Sequence, residues 1–204
     1  MGKRESVIVS CCIGVIVPVS CFFAAWWGSV PFVPEKAVPV CATAGLGIGI
    51  ILDALLLRRW TARVYSAPLV PLALLHLWLS IIVYGLTMGV AAFLLVPGTA
   101  AGVYMGRRLR AARTEGVERA LSIKRASAFT ALVIGVACAA SGFLAIVQPG
   151  MGEDLRSTLH LSFDVTKPMI IGTVVLGAAL LVVAQYFLTA KAALIASGEH
   201  HHGD

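Results

Sequence analysis

Charge is what this sequence has least of. Only 13% of its 204 residues are charged, about half the share that coats a soluble domain. A globular fold with a solvated polar surface is therefore excluded. Cysteine is present but unpatterned: Cys11, Cys12, Cys21, Cys41 and Cys138 sit in apolar runs without a repeated spacing. That excludes a disulfide scaffold and a zinc module, and without a Cys-x-x-Cys pair thiol exchange has no centre. Histidine is scarce inside the apolar stretches, where His76 stands alone, so ligation of haem by two buried histidines is excluded. His-Glu-x-x-His, Gly-x-Ser-x-Gly and a phosphate-cradling glycine loop with lysine are all missing. The basic 106–126 loop contains no aromatic residue, which removes the stacking that single-stranded nucleic acid requires.

What is there is apolar. Hydrophobic residues make up 59% of the chain, and the mean hydropathy is +0.91. A helix crosses the roughly 30 Å of hydrocarbon with about 17 to 25 apolar residues. Val7–Trp27, Val38–Leu57, Ser127–Val147 and Met169–Thr189 meet this directly. From Ala67 to Met105 the chain runs 39 residues without a charge, too long for one upright span. Gly85 and Gly89 offer a reversal within it, which divides it into Pro68–Tyr84 and Met88–Met105. The expected fold is all-α: one polytopic membrane domain over 1–204, with spans at about 7–27, 38–57, 68–84, 88–105, 127–147 and 169–189.

Charge parity sets the orientation. Cytoplasmic segments are rich in Lys and Arg. With six spans and both termini inside, the inner segments hold 13 of the 16 basic residues. The outer segments keep Lys36, Arg156 and Lys167 beside Glu35, Glu153, Asp154 and Asp164. Trp26, Trp27 and Tyr84 fall at expected outer ends, and Trp60, Tyr104 and Tyr186 at inner ends, where amphipathic rings prefer to lie. Trp78 is the exception, deep in the third stretch. The charged Met1–Glu5 segment resembles the start of a secretory signal. The apolar stretch behind it is too long and ends in bulky residues where a cleavage site needs small ones, so it is expected to remain as a span.

Small residues recur at helical spacing. Gly98, Gly102 and Gly106 fall on one stripe, and Gly45 and Gly49 make a similar notch, so backbones can approach closely there. The pattern suits packing of these two helices against each other, or an interface with a second copy or another membrane subunit. The 106–126 loop carries seven basic residues, among them Arg107, Arg108, Arg110 and Arg113, against two acidic ones. Such a cluster attracts anionic lipid at about 1 kcal/mol per basic residue, or an acidic cytoplasmic partner. On the outer side, 153–165 is expected to form a short interfacial helix carrying Leu155, Leu159, Leu161 and Phe163. Pro68, Pro71 and Pro168 open the third and sixth spans, but the residues behind them do not align as an inverted repeat.

Ionisable and amide groups within spans are costly and mark function by default. Asp53, His76 and Gln185 are the candidates for an ion or ligand pathway. Asp53 lies near the inner end of its span, where pairing with Arg58 or Arg59 is the simpler role. His76 can satisfy itself on a neighbouring carbonyl or hydroxyl, and it sits at a different depth from Asp53. The tail at 198–204, with His200, His201 and His202, is expected to be flexible, and the sequence names no cofactor. Three functions fit: a transporter, channel or membrane subunit of a transport system for an ion or small molecule; a non-catalytic subunit of a larger complex; and a lipid-acting enzyme. The isolated Asp and His favour the first, and the missing nucleophile weighs against the third.

Overall fold

The computed structural model describes residues 3–63, 65, 67–158, 160 and 162–198, apart from the side chains of 3–13, 57–63 and 155. The side chains of Arg58, Arg59 and Trp60, the whole of Leu159 and Leu161, and tail residues 199–204 thus lie outside it. Among the described residues 86% are helical and none lies in a strand. Seven α-helices follow in order among these described residues: α1 (Lys3–Ser29), α2 (Val38–Arg63), α3 (Leu69–Leu86), α4 (Leu95–Ala111), α5 (Gly116–Val147), α6 (Met151–Thr158) and α7 (Lys167–Ser197). Short 3-10 turns precede α2 and α4.

Helices α3, α5 and α7, and the stretch Glu35–Leu56 ending in α2, are long and apolar enough to cross a membrane. In α1 the stretch Gly14–Ser29 is a shorter apolar helix, and α4 has 17 residues with arginines in its last turn.

The long apolar run is not one helix. It breaks at Thr87–Val90, where Met88 and Gly89 take left-handed φ values of 52° and 83°. The Gly89 amide donates back to the Tyr84 carbonyl at 2.9 Å, closing α3 as a glycine C-terminal cap does. Helix α4 begins later than the 88–105 boundary, because Val90 is extended and a 3-10 turn at Ala91–Leu94 intervenes. Pro97 is then the third residue of α4, where a missing N–H removes no helical bond. At its far end α4 runs on through Arg107, Arg108 and Arg110, which are good helix formers with charge suited to a helix C-terminus. The segment between α5 and α7 also departs from expectation. Its helix covers Met151–Thr158, and Arg156 then pairs with Asp164 at 2.5 Å, both largely exposed.

Two compact units form, Met1–Ile82 and Val83–Asp204. In the first, α1 and α2 lie antiparallel through the glycine notch of α2. A methyl group on Gly45 would come 2.6 Å from the Cys21 carbonyl oxygen, and one on Gly49 2.5 Å from the Pro18 Cα. Near the end of α1, Trp27 meets Trp78 of α3 edge to face, with ring centroids 6.0 Å apart. In the second unit α7 packs against both α4 and α5. The stripe on α4 faces α7 in constant register: Gly98 against Gln185, Gly102 against Thr189 and Gly106 against Ala193. Equal spacing in the same sense makes α4 and α7 parallel. Gly142 against Val174 and Gly135 against Val182 make α5 antiparallel to α7. The two stripes thus serve different pairs, one against α1 and one against α7.

The α1–α2 contact yields a direct test. Gly49→Leu is expected to cost about 1–3 kcal/mol by overpacking, read as a lowered Tm in detergent. Gly47, whose missing side chain faces open space, serves as the control, and Gly47→Leu is expected to leave the Tm unchanged.

Candidate functional site

The polar groups of the apolar helices fall in both units. In the second unit they come together where α4, α5 and α7 meet. Gln185, Thr189 and Ser127 are wholly buried, and Thr130 is 3% exposed. The Gln185 amide nitrogen donates to Thr189 Oγ1 at 2.7 Å. Thr189 Oγ1 lies 3.2 Å from the Gly98 carbonyl oxygen and 2.9 Å from Thr130 Oγ1. Thr130 donates in turn to the Ser127 carbonyl at 3.1 Å. Each hydroxyl has one proton, so the chain has a direction, from the amide through Thr189 and from Thr130 to backbone. Gln185 Oε1 and Ser127 Oγ end it without partners among the described residues. An unmet buried polar atom costs about 1–3 kcal/mol.

Gly98 makes this arrangement possible. A methyl group there would fall 1.9 Å from the Gln185 amide nitrogen, so the amide occupies the place of a side chain. Apolar layers close the cluster along the bundle. On one side Leu94, Ile134 and Cys138 pack with Leu181 and Val182. On the other Leu109, Ile123 and Ala193 pack with Met105 and Ala190. The result is a polar island.

The sequence points to Gln185 but not to its partners. The signal that finds them is a row at every fourth residue of α7, namely Gln185, Thr189, Ala193 and Ser197, all buried. At the end of that row Arg119 of α5 donates to Ser197 Oγ, which donates to the Leu194 carbonyl at 2.7 Å. Arg110 and Arg113 are exposed and Arg107 and Arg108 partly so, at the same end of the unit. At the opposite end the Tyr84 hydroxyl and Ser141 Oγ lie 2.5 Å apart, beside the Gly89 carbonyl.

In the first unit Asp53 lies against α1. A methyl group on Gly14 would come 3.1 Å from Asp53 Oδ2, so glycine is needed for the carboxylate to seat. Asp53 Oδ1 is sealed from solvent and has no hydrogen-bond partner among the described residues. The expected pairing with Arg58 or Arg59 lies outside the described residues, since neither arginine side chain is among them. Helix α2 continues ten residues beyond Asp53, to Arg63, so the carboxylate does not sit at a frayed helix end.

His76 is buried on α3, one turn from Ser80, whose Oγ is also sealed and without a partner among the described residues. Asp53 and His76 belong to the first unit and Gln185 to the second. Cys21, Cys41 and Cys138 are free thiols. No three His, Cys, Asp or Glu side chains group as metal ligands among the described residues. Comparison with known proteins finds no matching family model, no matching curated protein and no matching solved structure.

The island predicts a coupling. Gly98→Ala displaces the Gln185 amide and is expected to cost about 1–3 kcal/mol. In a Gln185→Ala background the same change is expected to cost under about 0.5 kcal/mol, a double-mutant cycle read from unfolding in detergent. Equal costs in both backgrounds would mean that Gly98 and Gln185 do not bear on each other.

Proposed function

We propose that this chain is a six-span membrane protein, both termini cytoplasmic, that moves an ion or small polar solute, with Asp53 as the ionisable group of its pathway. The observation that carries the reading is the Asp53 carboxylate: set in an apolar hairpin, seated on Gly14, with Oδ1 sealed and unpartnered. A span that holds a carboxylate with one oxygen unpartnered among the described residues bears a cost that packing alone does not explain.

Two features support the topology. The break at Thr87–Val90 divides the long apolar run. The second unit is polar in its charge distribution: the end of α4 and the start of α5 carry Arg107, Arg108, Arg110, Arg119 and Lys124 against Glu115 and Glu118, while the opposite end carries Glu153, Asp154 and Asp164 against Arg156 and Lys167. Basic residues on one side are the mark of the cytoplasmic face. The exposed Arg110 and Arg113 also suit anionic lipid headgroups there.

Gln185 fits a packing role, since its island is closed above and below by apolar layers. That closure favours the second reading for this part of the chain, a structural membrane subunit that associates with other subunits or with a second copy. His76 is retained as a pathway candidate beside Asp53.

Two measurements test the proposal. In a variant without native thiols, Asp164→Cys is expected to react with an impermeant maleimide on intact cells, and Arg113→Cys only after permeabilisation. Labelling of both from one side would end the six-span arrangement. In proteoliposomes carrying pH- and potential-sensitive dyes, Asp53→Asn is expected to reduce ion or solute-coupled flux at least about tenfold, an effect worth ~1.4 kcal/mol. Gln185→Leu is expected to keep it, and unchanged flux in Asp53→Asn would remove Asp53 from the pathway.

A further inference from the structure

Helix α1 contains Pro18 in its interior. Proline has no N–H, so the carbonyl four residues back, that of Gly14, loses its helical donor. Gly14 is also the residue on which Asp53 Oδ2 rests. Asp53 Oδ2 thus rests on the residue whose carbonyl has lost its donor, while Asp53 Oδ1 has no hydrogen-bond partner among the described residues. The glycine notch keeps the two helices in this register, because Gly49 lies on Pro18 and Gly45 on Cys21, one and two turns along.

We infer that Asp53 and the freed Gly14 carbonyl form a binding site for a small monovalent cation, a proton or a sodium ion. The inference rests on the reading that α1 and α2 cross the membrane. Every donor atom is oxygen, the ligand class of hard cations, and backbone carbonyls released from helix bonding are natural ligands for sodium and protons inside a bilayer. One carboxylate carries one negative charge, so a monovalent ion neutralises it, whereas a divalent ion would leave a charge stranded beside it. Among the described side chains of α1 and α2 the other titratable groups are the thiols Cys21 and Cys41, and Arg58, Arg59 and Arg63 follow on α2 with side chains outside the described residues.

The test uses dicyclohexylcarbodiimide, an apolar reagent that adds to protonated carboxyl groups, on the full-length protein in liposomes, with peptide mass spectrometry as the readout. Labelling of Asp53 is expected at low pH and is expected to fall as pH rises. If added sodium, at ionic strength matched with choline, blocks labelling at fixed pH, the ion is sodium. If sodium leaves the pH profile in place, the ion is the proton.

In either case Pro18→Ala returns a donor to the Gly14 carbonyl and is expected to shift the midpoint, in sodium or in proton concentration, by about tenfold, the usual loss when a supporting group is removed. Alanine is compatible with the helix, so this variant keeps the hairpin. Gly14→Ala, which crowds Oδ2, is expected to shift the midpoint as well. Three results would overturn the site: no labelling of Asp53 at any pH, labelling that matches the exposed Asp164, or midpoints unmoved in both variants. Binding is read here without flux, so the site and the transport reading fail separately: an intact site without flux sinks only transport, and flux without the site sinks only this inference.

Discussion

Apolar side chains give two helices no reason to associate when the surrounding lipid is equally apolar, so contact between backbones has to do it. The fold depends on that close approach. Helix α7 reaches α4 only because Gly98, Gly102 and Gly106 present no side chains. The Thr189 and Ala193 backbone oxygens would lie 2.4 and 2.2 Å from methyl groups on Gly102 and Gly106, so any larger residue pushes the helices apart. The α1–α2 hairpin obeys the same rule at Gly45 and Gly49. Each close approach also fixes a register, and the register decides which polar side chain ends up opposite which backbone.

That rule gives opposite outcomes for the two groups. Gln185 is neutral, wholly buried and surrounded by three helices, and the hydroxyls of Thr189 and Thr130 link it to backbone carbonyls. Its amide fills a hole that glycine left, so it behaves as a piece of packing that happens to be polar. Asp53 is ionisable, half-buried and held between two helices, with one oxygen meeting nothing. Glycine makes room for both side chains, but only the carboxylate is left with an unmet electrostatic demand.

Much of this fold was legible in the sequence. Long runs without charge marked the helices, and the glycines at 85 and 89 marked the break within the longest run. The boundaries of the fourth stretch were not legible, because an apolar segment does not reveal that Val90 is extended or that Arg107 to Arg110 continue the helix. Asp53 and Gln185 stood out as polar residues among apolar ones. Their surroundings did not: that Gly98 makes room for Gln185, or Gly14 for Asp53, depends on which helices pair, and small-residue stripes on α2 and α4 fit several partners equally well. Thr130 and Ser127 were passed over because single hydroxyls are common in apolar helices and reveal themselves only when three helices bring them together. The row from Gln185 to Ser197 was readable, since a spacing of four needs no structure to see.

The same row also bears on where anything could move. From Gln185 and Thr189 toward the basic end, the next position is Ala193, fully buried against the Gly106 backbone. Beyond it Ser197 meets Arg119. A hydrogen-bonded track along the α4–α7 seam is therefore interrupted by a methyl group, and in the other direction it ends at Leu181 and Val182. To carry an ion through this seam the protein would have to separate α4 from α7 at the tightest contact in the unit, losing the packing that joins them. The α1–α2 hairpin needs no such rupture. Its carboxylate already has one oxygen unengaged, and α1 is interrupted by proline at that level, where a helix bends or opens more readily than elsewhere. If the molecule moves a charge, the proline-broken hairpin is the place where doing so disturbs the least structure.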